Sequence, residues 1–188
     1  MTDLKDLIIG IKGAGEMASG IALRLHRANI CKIYMMEIPF PLAVRREVSF
    51  SEAVHEGRKR VEEVEAVRID KTEDVPSLWK DNKIPILIDP QGQSLDIIKP
   101  HVSIDAILSK KNLGTAMNEA PLVIALGPGF VAGKDAHFVI ETNRGHNLGK
   151  IISSGTSEPD TGQPGTIRGF SQERVLRAPV GGWKTGRS

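Results

Sequence analysis

This chain of 188 residues has few aromatic residues and no large excess of charge of either sign. Phenylalanine, tryptophan and tyrosine make up only 4% of it, which argues against a recognition surface built from aromatic side chains. The formal net charge is +2, whereas nucleic-acid binding usually needs a concentrated basic stripe. We therefore expect no nucleic acid among the partners of this protein.

Cysteine and long apolar runs are also nearly absent. Cys31 has no second cysteine with which to form an intrachain disulfide or a cysteine metal cluster, which fits a reducing compartment. No apolar run approaches the roughly 20 residues of a membrane-spanning helix. The first residues lack the apolar core of a signal peptide. The sequence predicts a cytoplasmic protein that does not bind membranes.

The signatures of common catalytic and metal sites are missing as well. The sequence contains neither an H-E-x-x-H pattern nor a G-x-S-x-G elbow, and four of its five histidines, His55, His101, His137 and His146, are scattered. We therefore predict no metal site. Because no nucleophile with a neighbouring base can be identified, catalytic residues stay unknown, and the sequence leaves open whether the protein is an enzyme.

What the sequence does contain is an alternation of short apolar runs and helical patterns. With 40% apolar and 26% charged residues, the composition is that of a globular domain with a buried core. Strands are predicted over 7–11, 32–37, 61–69, 84–88, 102–108, 121–126, 136–142 and 150–153, and helical structure from Gly15, within 42–57, and over 74–80 and 94–99. Continuous apolar strands separated by helices are typical of parallel sheets.

This pattern predicts a Rossmann-like α/β fold, with a mostly parallel sheet, helices on both faces and more antiparallel strands toward the C-terminus. Residues 1–154 would form this domain, with 115–154 as a small β-rich subdomain within it. The segment 155–188 is rich in glycine and proline, and it is expected to be a linker followed by a tail without packing.

The first strand is followed directly by a glycine turn, Gly13-Ala14-Gly15, and the segment up to Ala18 matches the G-x-G-x-x-G/A fingerprint. Gly13 would permit the tight turn, and Gly15 would let a phosphate approach the backbone. The helix that starts here offers free N–H groups to an anion. The alternative is a tight turn without a ligand. The predicted cofactor-binding residues here are Lys12, Gly13, Ala14, Gly15, Glu16, Met17 and Glu37, the last as the ribose-binding acid.

Two other segments are candidates for binding phosphate. Arg45 and Arg46 form a basic pair after the second predicted strand, and they could grip a phosphate or simply lie in a solvated loop. Gly127 and Gly129 flank Pro128 after a later strand, where their N–H groups could form a second anion nest. A plain turn explains them equally well.

Several longer stretches resemble the selenium-dependent molybdenum hydroxylase accessory family, also called the YqeB family. The matching stretches are 12–20, 45–54, 102–115, 126–130, 137–141, 144–149, 161–165 and 173–179. The N-terminal part is also similar to the Rossmann domain of xanthine dehydrogenase accessory factors. Glu16-Met17 stands where the family commonly has Asp-Leu, and the family's small β module after 179 is missing from this sequence.

The resemblance implies a bacterial factor that helps to mature selenium-dependent molybdenum hydroxylases of the xanthine dehydrogenase type. Its ligand would be the molybdenum cofactor or a nucleotide, held at Gly13–Gly15, and its partner would be the apo-hydroxylase. Two alternatives remain from the residues themselves: an NAD(P)-dependent oxidoreductase and a non-catalytic scaffold that binds proteins. Self-association into a homo-oligomer is left open.

Overall fold

The structure is a computed structural model that describes residues 3–160 and residue 162. Its helices are α1 (Glu16–Arg27), α2 (Glu52–Glu56), α3 (Val75–Lys80) and α4 (Ser94–Ile98), and short 3-10 helices cover Leu4–Asp6, Arg46–Val48, Thr72–Asp74 and Met117–Glu119. The strands are β1 (Ile9–Lys12), β2 (Ile33–Glu37), β3 (Arg58–Val61), β4 (Val64–Ile69), β5 (Ile84–Ile88), β6 (Val102–Asp105), β7 (Leu122–Leu126), β8 (Val131–Ala132), β9 (Phe138–Ile140), β10 (Ile151–Ile152) and β11 (Gly155–Thr156).

Nine of these strands form one sheet in the order β10-β9-β7-β6-β1-β2-β5-β4-β3. The run from β9 to β4 is parallel throughout. Within it, β5-β2-β1-β6-β7-β9 reproduces the 3-2-1-4-5-6 strand order of the classic doubly wound fold. The predicted Rossmann-like, mostly parallel α/β fold is therefore confirmed.

Both faces of the sheet are covered by helices. On β2, Ile33 and Met35 belong to the core cluster that contains residues of α1 and α2. The alternate residues Tyr34 and Met36 belong to the cluster formed with α3 and α4. Because neighbouring residues of a strand face opposite sides, this division places one helical layer on each side of the sheet, as predicted.

Helix α1 packs on the sheet mainly through small residues. The apolar pattern after the glycine turn predicts a buried stripe of Met17, Ile21 and Leu25, widened by Ala18 and Ala22. Ala18 and Ala22 are fully buried and Ile21 and Leu25 are partly buried beside them, whereas Met17 is 42% exposed. The alanines let the helix lie close to the sheet right after the tight turn.

Antiparallel pairing occurs at both edges of the large sheet. Toward the C-terminus β10 pairs antiparallel with β9, and β11 pairs antiparallel with β8 in a separate two-stranded sheet, which confirms that part of the prediction. The hairpin β3–β4 is a second antiparallel feature, where the sequence predicted one strand over 61–69. Its first strand was missed because residues 58–60 are charged and not buried, as suits an edge strand.

Two further observations concern boundaries. The strand predicted over 102–108 ends at Asp105, so Ile107 and Leu108 lie in the following loop. Residues up to Glu158 form one compact unit, and β11 extends the paired strands past the predicted boundary at 154. Most of the predicted linker and tail, 155–188, lies outside the described residues. None of the helices within 3–160 has the length and apolar character needed to span a membrane.

Candidate functional site

The glycine turn lies where the strand order of the sheet changes direction. β1 is the central strand, with β2 on one side and β6 on the other, and all three are parallel. The chain builds one side of the sheet and then crosses to the other, so the loops after β1 and β6 lead away from each other. In open α/β sheets this arrangement leaves a crevice at the carboxyl ends of the strands, where ligands bind.

The two glycines of the turn meet different requirements. Gly13 adopts φ +89°, and a Cβ there would lie 3.2 Å from the carbonyl oxygen of Ala106, so both the backbone and its neighbour demand glycine. Gly15 has an ordinary φ of −66°, and no protein atom lies within 4 Å of its Cβ position. The protein itself therefore does not need glycine at Gly15, and the space beside it is open.

The peptide that joins Ala14 to Gly15 is held in one orientation by a group of serines. The carbonyl oxygen of Ala14 accepts hydrogen bonds from the hydroxyls of Ser19 and Ser49 and from the N–H of Ser51, at 3.0, 3.2 and 2.8 Å. In a trans peptide the N–H points opposite to the carbonyl. The N–H of Gly15 is therefore directed away from the serines. No sequence pattern indicates this serine group, because its members come together only in the folded chain.

The start of α1 is not capped by a side chain. Gly15 is the N-cap residue and has no side chain to cap the helix, so the N–H groups of the first turn lack that partner. This 12-residue helix directs the positive end of its dipole toward the open space beside Gly15. An anion placed there would meet free donors and favourable charge.

Glu37 already binds one of the backbone N–H groups that were predicted to bind an anion. Its Oε2 accepts the N–H of Ala14 at 2.7 Å, and its Oε1 accepts the N–H of Ile38 at 2.8 Å. The N–H of Gly13 is also used, since it donates to the carbonyl of Met36. Two of the turn amides thus already have partners in the protein, and an anion would depend on Gly15 and the first residues of α1.

A cleft of about 500 Å³ opens in front of the turn, and we call it the glycine-turn cleft. Its polar lining includes Glu16, Glu37 and Arg45, and its apolar lining comes mainly from Met17 and the segments 38–42 and 106–108. The side chain of Arg45 is 74% exposed, and the backbone N–H of Arg45 donates to Glu16 Oε1 at 2.7 Å. Arg45 and Glu16 therefore bring opposite charges to the mouth of the cleft.

Three other predicted residues do not line this cleft. Arg46 donates from Nε to Glu52 Oε2 at 2.7 Å, and this hydrogen bond holds the pKa of the buried Glu52 below its usual value. A Cβ on Gly127 would lie 2.7 Å from Thr142 Oγ1, and one on Gly129 would lie 2.5 Å from Lys111 Cα. Close protein packing and positive φ angles account for both glycines, as they do in a plain turn.

Lys12 does not extend toward the anion position but joins an internal network. Its Nζ donates to Glu119 Oε1 at 2.5 Å and to Thr115 Oγ1 at 2.8 Å. The hydroxyl of Thr115 donates in turn to Asp105 Oδ2 at 2.6 Å. Asp105 was not among the predicted site residues, although an acid at the end of a buried parallel strand is a recognisable signal. Thr115, in the loop after β6, and Glu119, in the 3-10 helix that follows, carried no such signal.

This network borders a second cavity of about 160 Å³, the inner chamber. The inner chamber is lined at its polar side by Lys12, Glu37, Asp89, Asp105 and Thr115. It shares Gly13, Glu37, Ile38 and Ile107 with the glycine-turn cleft, so the two spaces adjoin. The crevice at the centre of the sheet is thus divided into an outer cleft and an inner chamber.

Two of the histidines accept hydrogen bonds from backbone N–H groups. Nδ1 of His101 accepts the N–H of Ile8, and Nδ1 of His137 accepts the N–H of Val123, both at 3.0 Å. These bonds satisfy main-chain donors at the starts of parallel strands. Within residues 3–160 no group of three or more histidine, cysteine, aspartate or glutamate side chains is arranged to hold a metal ion.

Comparison with known proteins adds one informative relative. The chain is 47% identical over 175 residues, 93% of its length, to a protein of Escherichia coli (strain K12) named "Uncharacterized protein YqeB". The chain spans 32% of that relative. No family model matches the chain, and no solved structure is similar to it. The similarity supports the relationship to YqeB that the sequence motifs predicted, and the name of the relative specifies no activity.

Proposed function

We propose that this protein is a cytoplasmic accessory factor that binds a phosphate-bearing nucleotide or the molybdenum cofactor at Gly13–Gly15 and passes it to an apo molybdenum hydroxylase. One observation carries the binding role: α1 begins without a side-chain cap at Gly15, beside open space. The switch point of a doubly wound sheet is the place where such a ligand is expected.

The cleft is better suited to a phosphate than to an anion that cannot accept several hydrogen bonds. A phosphate has several acceptor oxygens and can take the N–H groups of Gly15, Glu16 and Met17 together. The guanidinium of Arg45 is mostly exposed at the cleft mouth and can reach a second phosphate. The carboxylate of Glu16, which lies beside Arg45, repels an anion at that side of the cleft. The favourable position for an anion is therefore in line with the helix axis, at the N-terminus of α1.

A role in delivery is supported by an exposed apolar loop at the mouth of the cleft. Phe40, Leu42 and Val44 are 81%, 97% and 94% exposed, and Phe40 and Leu42 line the glycine-turn cleft. Contiguous exposed apolar side chains mark surfaces that bind proteins or ligands. A partner that covers this loop would contact the ligand as well, as handover to an apo-hydroxylase requires.

An NAD(P)-dependent oxidoreductase is the second candidate, and the strand order together with Glu37 favours it. Glu37 lies at the end of β2, where dinucleotide-binding sheets place the acid that binds ribose hydroxyls. Each of its oxygens accepts one main-chain N–H, and each keeps a lone pair for a hydroxyl. Under this alternative NAD would bind more tightly than NADP, because the 2′-phosphate would meet the Glu37 carboxylate.

The decisive variant is Gly15→Asp. Aspartate is a favoured N-cap residue and Gly15 has an ordinary φ with open space around it, so the fold should be kept or slightly stabilised. The new carboxylate occupies the place of the phosphate, so we expect ligand binding to be lost. Gly20→Asp, on the same helix and also in open space, is the matched control and should bind normally.

The measurement is thermal shift followed by titration calorimetry with molybdopterin nucleotides, NAD, NADP, CTP, ATP and AMP. A ligand at about 100 times its Kd should stabilise the fold by roughly 2.7 kcal/mol. If Gly15→Asp binds as the wild type does, the glycine turn is not the site. Stabilisation by nicotinamide nucleotides alone would favour the oxidoreductase, and no stabilisation at all would favour a scaffold.

A further inference from the structure

The inner chamber has the size of a single ring. Its volume of about 160 Å³ is close to the roughly 150 Å³ of a protein cavity that admits benzene. It adjoins the glycine-turn cleft through Gly13 and Glu37, which line both spaces. A ligand held by its phosphate at α1 could therefore place a six-membered ring in the chamber.

The chamber presents hydrogen-bond acceptors that the protein holds in place. Asp89 accepts the N–H groups of Gln93 and Ser94, at 2.9 and 2.7 Å. Asp105 is only 1% exposed, and its carboxylate accepts hydrogen bonds from the N–H of Ile107 and the hydroxyl of Thr115. These bonds leave further lone pairs on both carboxylates. Their positions are set before any ligand arrives, which lowers the entropy lost on binding.

The one lysine of the chamber does not reverse this excess of acceptors. Lys12 is paired with Glu119 and also donates to Thr115, so two of its three N–H groups and its charge are already used within the protein. Three further carboxylates, those of Glu37, Asp89 and Asp105, line the chamber. An occupant that carries its own negative charge or only acceptor groups would be repelled there.

Part of the remaining wall is apolar. Met36, Ile107 and Leu113 line the chamber together with its polar groups. Apolar walls contact the faces of a flat ring favourably, whereas fixed carboxylates hydrogen-bond with donors at its edge. A heterocycle with an exocyclic amino group combines these two properties, and a sugar or a carboxylic acid does not.

We infer that the inner chamber is a second subsite, which binds a single heterocyclic ring through its amino group, so that the ligand is an amino-bearing pyrimidine-type nucleotide rather than a phosphate alone. This inference rests on the proposed function, because the phosphate at α1 positions the ring. In this arrangement the glycine-turn cleft binds the phosphate, and the inner chamber determines which base is bound.

The test compares CMP, UMP and ribose 5-phosphate by titration calorimetry. CMP and UMP differ at the ring position that carries an amino donor in one and a carbonyl acceptor in the other. We expect CMP to bind on the order of tenfold or more tightly than UMP, because sites built for a hydrogen bond reject analogues that cannot make it. Ribose 5-phosphate should bind more weakly than CMP.

Two variants locate the effect. Leu113→Trp fills the chamber from a position that is 57% exposed, so we expect it to bring the affinity for CMP down to that for ribose 5-phosphate. Ile97→Trp, at a 64% exposed position of α4 outside the chamber lining, is the matched control. Asp105→Asn replaces an acceptor by an amide that can also donate, and it should reduce the preference for CMP over UMP.

The outcomes separate this inference from the function on which it rests. If all three ligands bind equally and Gly15→Asp removes their binding, the phosphate site stands and the ring subsite is wrong. If CMP is preferred but Leu113→Trp leaves the preference unchanged, the chamber does not hold the ring and the inference is wrong. If none of the three binds to the wild type, the ring subsite is wrong, and the proposed function fails with it only if the molybdopterin nucleotides and the other nucleotides of the thermal-shift panel do not bind either.

Discussion

At the scale of single residues, the glycines around the opening strand illustrate how the same residue type answers different constraints. Gly13 is required by a positive φ, whereas Gly15 has an ordinary φ and open space at its Cβ position. Gly10, within β1, is required by a side chain: its Cβ position lies 2.8 Å from the hydroxyl oxygen of Tyr34, which is fully buried. The fingerprint identified the first two, and only the folded structure explains the third.

Gly10→Ala should therefore destabilise the protein without altering the ligand site. A Cβ at 2.8 Å from a buried tyrosine overpacks the core, which costs about 1–3 kcal/mol. In the background of Tyr34→Leu the hydroxyl oxygen, Cζ and Cε1, which lie 2.8, 2.9 and 3.1 Å from this Cβ position, are all gone, so the loss should be smaller. Urea unfolding of the four proteins in this double-mutant cycle measures the difference. Equal losses in both backgrounds would mean that Tyr34 is not the obstacle.

At the scale of elements, the ion pair of Arg46 with Glu52 joins two parts of the segment between β2 and β3, and the serine group bonds this segment to the turn before α1. Arg46, on a 3-10 helix, is bonded to Glu52 at the start of α2. Glu52 is only 2% exposed, while the side chain of Arg46 is 64% exposed. The arginine therefore covers a buried carboxylate, and it links two short helices that could not be stable alone.

This pair makes stability depend on pH in the acid range. The hydrogen bond from Arg46 and its charge lower the pKa of Glu52, against the effect of burial. A lowered folded-state pKa stabilises the protein above the unfolded value of 4.5, and this contribution is lost as the pH falls through the folded value. Arg46→Gln should therefore be less stable than the wild type at neutral pH, and the difference should shrink in acid.

The matched control is Arg24→Gln, which removes the same charge from an exposed position of α1. Thermal unfolding of the three proteins from neutral pH to below 4.5 gives the comparison. A constant difference between Arg46→Gln and the wild type across this range would mean that Glu52 does not sense Arg46.

At the scale of the whole molecule, the strand order brings together residues that are far apart in the sequence. Lys12 of β1, Asp89 after β5 and Thr115 after β6 border one chamber, although more than 100 residues separate the first from the last. The loop 38–44 extends its apolar side chains beside the same crevice. The proposed ligand site and the exposed apolar loop thus lie at the same edge of the sheet.

If this loop contacts a partner, replacing its most exposed side chains should affect association and not folding. Phe40→Ser with Leu42→Ser should change the free energy of unfolding by less than about 0.5 kcal/mol, since both side chains are exposed. Binding to an apo molybdenum hydroxylase of the xanthine dehydrogenase type, measured by calorimetry, should weaken. Ile97→Ser with Ile151→Ser, at exposed positions elsewhere, is the control, and equal weakening by both pairs would exclude the loop as the contact.

The order of the elements was predictable wherever the physical signal is local. Continuous apolar runs marked β1, β2, β5 and β7, and the glycine turn marked the start of α1. The edge strand β3 was missed because its charged residues lie in solvent and show no apolar pattern. Met17 was predicted in the buried stripe of α1 but is 42% exposed, because close packing favours small residues, while a hydrophobicity pattern gives most weight to large ones.

The sequence by itself determined the class of fold and the turn at Gly13–Gly15, because strand burial and backbone conformation depend on neighbouring residues. Only the tertiary structure decided which turn amides remain free, since Glu37 and Met36 engage two of them from another strand. It likewise turned Lys12 inward to Glu119 and Thr115. Hydrogen bonds between distant segments have no periodicity that a sequence could reveal, because they form only when the sheet brings their ends together.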